Sequence, residues 1–239
     1  MGGLILHPQP GWPAVLTDGP VLLRPYRRRD AEAWSAVRRA SEEWFAPWEP
    51  SSPGSWDDVN SPAAYRWVYR DHRRSVRDGS GMPFAIVLRE GRAAGVAERF
   101  VGHISLGNIV RRAFGSAHVG YWVDRAVAGR GIVPTALALL TDHAFGPGAL
   151  HRIEVNIRPE NRASRRVVEK LGFREEAYHP RYMFIDGAWR DHLGYGLTVE
   201  DVAAEGGLLA RWHRLRAGPP AVDQGVRGRV ARRVDPRTP

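Results

Sequence analysis

The stretch DRAVAGRGIVPTALALLTDHAF, residues 124–145, sets Gly129, Arg130 and Gly131 at the mouth of a helical pattern. Glycine at such a place costs backbone entropy, so it marks a need for close access to the main chain. The first N–H groups of a helix have no intrahelical partner, and the helix dipole leaves positive potential there. The combination predicts an anion site, with a phosphate group as the usual guest.

Working outward, SAHVGYWVD at 116–124 reads as the strand entering this loop, and RIEVNIRP at 152–159 as the strand leaving the helix. A strand, helix and strand in that order predict a parallel pair. NRASRRVVEKLGF at 161–173 is a helix closed by Gly172, followed by strands over 174–186 and 188–197 joined at Asp186-Gly187. Upstream, 20–26 is a short strand and Asp30 opens a helix carrying Trp34 and Val37. The prolines and serines of 46–55 predict a loop, and Pro62 the first turn of a helix running to about Arg77. Strands follow at 83–90 and 99–112, the second with a bulge at Gly107. A further helix is expected over 202–218. The fold class is α/β: a mixed, mostly antiparallel sheet flanked by helices.

The chain has 239 residues, 43% hydrophobic and 26% charged, which suits one globular domain with extensions. We divide it into an N-terminal extension (1–17), the main domain (18–200), a C-terminal helix (201–218) and a basic, disordered tail (219–239). No window approaches a membrane span, and the start MGGLILHPQPGWP lacks the basic segment of a signal peptide. There is no cysteine, which excludes disulfides, thiolate metal sites and a cysteine nucleophile, and suits the cytoplasm. The formal charge of +9 favours anionic partners.

YWVDRAVAGRGIVPTAL and IEVNIRPENRASRRVVEKLGF, in this order and at this separation, resemble the GNAT superfamily of acetyl-CoA-dependent N-acyltransferases over roughly residues 18–200. LRPYRRRD, PWEP, GHISLGNI and DGAWRDHL are similar to the RimJ/RimL branch, which acetylates N-terminal amines of ribosomal proteins. The resemblance implies acetyl-CoA as co-substrate, no metal, and direct attack of an amine on the thioester through a tetrahedral intermediate. It implies a protein or peptide N-terminus as acceptor, of the ribosomal-protein alanine type. The basic tail offers a weak RNA or ribosome contact; monomer and homodimer both stay open.

Carried onto this sequence, the pyrophosphate loop is Ala128, Gly129, Arg130, Gly131, Ile132 and Val133. The strand edge Tyr121, Trp122 and Val123 faces the pantetheine arm and supplies the oxyanion N–H. Asn156 is an amide partner for the arm, Asn161 an N-cap beside it, and Arg165 a partner for the 3′-phosphate. Ser164 lies near the thioester sulfur. Ser164 or Tyr178 donates to the leaving thiolate, and Glu49 collects the amine proton. Trp44, Trp48 and Trp56 wall the acceptor groove or pin a loop. Ala128 stands where the family has a polar residue and Val133 where it has a small one, which keeps a non-catalytic CoA- or RNA-binding module as an alternative. The acids Glu42, Glu43, Glu49, Asp57 and Asp58 keep open a small-amine or antibiotic acetyltransferase.

Overall fold

The computed structural model describes residues 9–92 and 95–218. The 219–239 tail lies outside the described residues. Eight strands form one sheet: β1 (Leu16–Asp18), β2 (Val21–Pro25), β3 (Met82–Arg92), β4 (Gly95–Val110), β5 (Ser116–Val123), β6 (Arg152–Ile157), β7 (Arg174–Ile185) and β8 (Ala188–Thr198). Their order is β1-β2-β3-β4-β5-β6-β8-β7. Every neighbouring pair is antiparallel except β5 and β6.

Strand alternation divides the core into two layers. On β3, Met82, Phe84, Ile86 and Leu88 enter the larger cluster, and Ala85 and Val87 the smaller. The smaller one is closed by α1 (Ala31–Arg39) and α4 (Pro62–Arg77), with the short α2 (Glu42–Phe45) and α3 (Trp56–Val59) between them. The larger one is filled by the almost wholly buried α5 (Ile132–Phe145), together with α6 (Arg162–Lys170), α7 (Glu200–Ala203) and α8 (Leu208–Ala217).

Local signals explain most boundaries. Ser61 Oγ accepts the Ala64 N–H at 3.1 Å, and Pro62 follows it to start α4. Asn161 Oδ1 caps α6 through the Ser164 N–H at 3.0 Å. That helix ends with Phe173 N–H on Val168 O and Gly172 N–H on Glu169 O, both 3.0 Å, a Schellman closure. The register of β4 against β5 shifts between Gly107 and Val110, where the bulge was expected. Among the described residues no helix is long and apolar enough to cross a membrane.

The structure departs from the sequence expectations in four places. The sheet begins at Leu16, inside the segment read as an extension. The 46–55 loop contains a 3-10 turn at Ala46–Trp48. Asp30 does not cap α1 with its side chain. Its carboxylate instead holds the buried Arg24 guanidinium through two bonds of 2.8 Å and accepts the Arg27 N–H at 2.7 Å, because a buried cation needs a paired anion. The helix expected over 202–218 is two helices, broken where Gly206 and Gly207 take φ of +80° and +107°. Asp142 of α5 restarts the second by accepting the N–H groups of Leu208 (2.6 Å) and Leu209 (3.0 Å).

Candidate active site

The β5–β6 pairing runs only from Ser116 and Arg152 to His118 and Glu154. Beyond it the strands part. Asp124 N–H donates to Val101 O on β4 at 2.7 Å. The alternation of an antiparallel ladder then turns the N–H groups of Tyr121 and Val123 towards the gap. The gap opens into a groove of about 970 Å³ whose walls are the end of β5, the 128–134 loop, α6 and Trp212 of α8.

Gly129 and Gly131 sit at φ of +78° and +77°, a left-handed conformation that favours glycine. Among the described residues, the N–H groups of Gly129, Arg130, Gly131, Ile132 and Val133 meet no intramolecular acceptor. A Cβ on Gly129 would meet nothing within 4 Å, so packing does not require the glycine there. Five unpaired amides thus stand at the start of a long helix, where the sequence reading expects an anion, an arrangement that can receive one. Val133 lines the groove while packing against the main core. Trp212 braces the loop from behind: its Nε1 donates to Thr135 Oγ1 (2.8 Å), which donates to Gly131 O (2.9 Å).

The residues of α6 sort by helical period. Arg162, Arg166 and Lys170, four apart, line the groove. Lys170, the chain's single lysine, lies 5.6 Å from the centre of the Trp212 ring. Arg165 is on the next face. Its Nε donates to Tyr195 Oη at 3.1 Å, and its guanidinium pairs with Glu169 and Glu175. It does not line the groove, although its partner Glu169 does. Arg130 is exposed and does not line the groove either. Asn156 is on the polar face of β6, 3.5 Å from His118 Nδ1 and outside the groove lining. Asn161 and Ser164 are in it.

A second cavity of about 800 Å³ shares Trp48, Glu49, Tyr121 and Trp122 with the groove. Its centre is Arg38. The guanidinium lies 5.1–5.5 Å from the ring centres of Trp34, Phe45, Trp56 and Trp122. It bonds both oxygens of Glu49 (2.6 and 2.5 Å) and Asn60 Oδ1. Glu42 lines this cavity, Glu43 the groove, and Glu49 both. His103 and His72 stack with centres 5.2 Å apart. His103 has its ring nitrogens on Tyr26 Oη (2.8 Å) and Ser105 Oγ (3.1 Å), so neither is free for a substrate amine. Burial pushes both histidines down, His72 to about 4.

At the junction, Tyr121 Oη donates to Ser164 O at 3.4 Å, and burial holds the phenol well above its ordinary pKa. Trp44 Nε1 donates to Val123 O at 3.1 Å and fixes the end of β5. Gly102, opposite Val123, leaves room for this bend: a Cβ there would fall onto the Trp122 carbonyl oxygen and 3.1 Å from Val123 Cα. Tyr178 is not brought in. It is exposed on β7, its hydroxyl bonded to Asp191, and it lines neither cavity.

Sequence reasoning missed Arg38, Trp44 as a strand clamp, Trp212, and the trio Arg162, Arg166 and Lys170. The four-residue spacing of the trio on a helix following Asn161 was the available signal. Arg38 and Trp212 each have one partner four residues away on their own helix, Trp34 and Arg216 respectively, but the rest of their partners lie on other elements. Among the described residues no group of three or more His, Asp or Glu side chains is placed to hold a metal ion.

The acetyltransferase (GNAT) domain model matches residues 21–174. The chain is 42% identical over 178 residues to the "Probable N-acetyltransferase YjcK" of Bacillus subtilis, covering 74% of this chain and 93% of that protein. It is 27% identical over 192 residues to the "[Ribosomal protein uS5]-alanine N-acetyltransferase" of Escherichia coli, covering 78% and 91%. Among solved structures, Mycobacterium smegmatis RimJ in complex with CoA-disulfide superposes with a TM-score of 0.79 at 39% identity, covering 86% of this chain and 96% of that one.

Proposed function

The chain belongs to the acetyltransferase (GNAT) domain family and is an N-acetyltransferase, and from that premise we propose that it acetylates the N-terminal α-amine of a protein, acetyl-CoA being the donor. The observation that carries this reading is the pair of cavities that meet at Trp48, Glu49, Tyr121 and Trp122. The groove fits a nucleotide thioester. Five unpaired amides suit the diphosphate, and Arg162, Arg166 and Lys170 take the role first given to Arg165 for further phosphate. The open edge of Tyr121 and Val123 suits a peptide-like arm. The cavity beyond Trp122 takes the acceptor, and the name of the E. coli relative favours a ribosomal-protein terminus.

Acetyl-CoA supplies an acyl thioester, whose carbonyl carbon is open to a neutral amine. In this reading the Val123 N–H hydrogen-bonds the carbonyl oxygen as charge grows on it. Tyr121 keeps its proton at Oη and, with Ser164, faces the departing sulfur. A chain-terminal amine, with a pKa of about 7.7–8.0, is substantially neutral near physiological pH. Positioning then carries most of the catalysis. Glu49, clamped by Arg38, offers a carboxylate to the incoming ammonium where the cavities join. Tyr178 has no part in this account.

The test is mass spectrometry of the full chain with acetyl-CoA and three acceptors: a peptide with N-terminal alanine and an internal lysine, the same peptide N-blocked, and a polyamine with an aminoglycoside. One acetyl group on the free α-amine, none on the blocked peptide, is the expected result. Transfer only to lysine or the small amines overturns the acceptor class, and CoA binding without transfer overturns the enzyme reading. For the cradle, Gly131→Glu is expected to raise the Kd for acetyl-CoA at least about tenfold, about 1.4 kcal/mol. Gly129→Glu, whose added side chain meets open space, should do the same. Calorimetric titration showing unchanged affinity in both folded variants would remove the cofactor from this loop.

A further inference from the structure

We propose that the arginine-lined cleft along α4 binds single-stranded RNA. The cleft, about 980 Å³ in volume, is lined by Arg28, Arg66, Arg70, Arg73, Arg74 and Arg77. The five on α4 follow i, i+4, i+7, i+8 and i+11, one face of a helix. Arg77 pairs with Asp78 at 3.0 Å, but among the described residues Arg28, Arg66, Arg70, Arg73 and Arg74 have no ion pair. Elsewhere the arginines are mixed: Arg152, Arg174, Arg211 and Arg214 each sit on carboxylates, whereas among the described residues Arg125, Arg130, Arg162, Arg166, Arg181 and Arg216 have no ion pair but are not gathered in this cleft. Five arginines without an ion pair therefore share this one cleft, interrupted on α4 by Asp71.

Charge alone would suit any polyanion. Aromatic rings among the arginines select the partner. Trp67 is 60% exposed, with the guanidinium carbons of Arg66 and Arg70 at 5.6 and 5.1 Å from its ring centre. Tyr69 lies in the cleft, stacked on Tyr65 with centres 6.3 Å apart and 6.0 Å from the Arg28 guanidinium. Guanidiniums that follow a phosphate backbone beside rings that stack on bases are the device of single-strand binders. An anionic lipid surface would need apolar side chains to insert, and Trp67 is the one large exposed apolar side chain on α4. Placement adds a reason for RNA. Val68 and His72 of the same helix line the acceptor cavity, so a chain terminus entering there would carry its bound RNA against α4. That last step alone rests on the ribosomal-protein reading above.

The experiment is fluorescence anisotropy of the full chain with a labelled single-stranded RNA oligonucleotide over a range of salt. Parallel runs use the same sequence as a duplex, and vesicles of phosphatidylserine and phosphatidylcholine. The variant Arg66→Ala/Arg70→Ala/Arg73→Ala is expected to weaken RNA binding at least about tenfold and to reduce the salt slope by about 2, near 0.7 for each phosphate released. Trp67→Ala is expected to weaken the single strand at least about fivefold and to leave the duplex unchanged. The acetyl-CoA Kd of each variant should match wild type, showing that it is folded and that its acyl-donor site is intact. Unchanged RNA affinity in the triple variant overturns the site. Equal losses for single strand and duplex in Trp67→Ala overturn base stacking, and vesicle binding without RNA binding makes the face a membrane contact. Failure of peptide acetylation with RNA binding intact would strike the acceptor reading and leave this one standing.

Discussion

Replacing Arg38 by methionine is expected to lower the free energy of unfolding by about 2–3 kcal/mol, below the range for a fully buried ion pair because the Glu49 side chain is 26% exposed. The side chain of Arg38 is 7% exposed. Its guanidinium satisfies two oxygens of Glu49 and the Oδ1 of the fully buried Asn60, and it fills the space between four aromatic rings. Methionine matches the length of the stem and keeps most of the ring contacts. What it removes is charge and donors, leaving the partly exposed Glu49 carboxylate without its counterion and the buried Asn60 Oδ1 without its donor. The double variant Arg38→Met/Glu49→Met is then expected to recover much of the loss, because an apolar pair of similar volume is often as stable as the ion pair it replaces. Urea unfolding of the two variants and wild type measures both effects. A single variant within 1 kcal/mol of wild type would show that the clasp is solvated rather than buried. The functional readout follows from position. Glu49, Trp56 and Trp122 wall the acceptor cavity, and the amide cradle is on the far side of Trp122. The KM for peptide should therefore rise more than the Kd for acetyl-CoA.

That clasp also shows where sequence reasoning stops. The loop of Gly129 and Gly131, the cap at Asn161 and the stop at Gly172 are local devices, written in consecutive residues, and the structure has them where the chemistry of each residue type requires. The parallel pair follows from one strand, helix and strand unit. Arg38 belongs to a different class. In sequence it is an arginine on a helix with Arg39 beside it, and the one local difference is Trp34 four residues before it. In the fold Arg38 is buried among rings supplied by α1, α2, α3 and β5, and Arg39 is exposed beside Asp57. Arg165 and Arg166 pose the same problem at one residue's offset. Placing Arg165 at the groove needed the rotation of α6 about its axis, which packing of Val168 into the core determines. Asp30 looked like a cap because its true partner, Arg24, is on another element and is itself buried against expectation. What depends on a side chain's neighbours along the chain was legible; what depends on its neighbours across the sheet was not.

The second large effect is one of pH. Acidifying the protein from pH 7 to pH 4 is expected to cost roughly 3 kcal/mol of stability through His72 alone, at about 1.4 kcal/mol per pH unit between its folded value of about 4 and the ordinary 6.5. The cause is burial, opposed weakly by Asp71. The ring stacks on His103 and stands edge-on to Tyr26, with centres 4.5 Å apart, and its buried Nδ1 has no hydrogen-bond partner. The unfolded chain takes up a proton as the pH falls through 6.5 and the folded chain does not until about 4, so stability falls across that window and levels off below it. His103, held well below its ordinary value by burial and then by His72 and Arg38, acts in the same direction. Carboxylates act in a separate window: Asp201, held at about 2 mainly by its hydrogen bond from Arg174, loses its contribution only below its ordinary 3.8. Urea midpoints at half-unit pH steps should fall between pH 6.5 and 4 in wild type and fall less steeply in His72→Phe, which keeps a ring against Tyr26 and His103. A flat profile, or a His72 resonance titrating near 6.5, would overturn the assignment. Both imidazoles line the cavity proposed for the acceptor. Under the function proposed above, neither imidazole adds positive charge beside the acceptor amine, and Glu49 is the carboxylate that meets it at the junction.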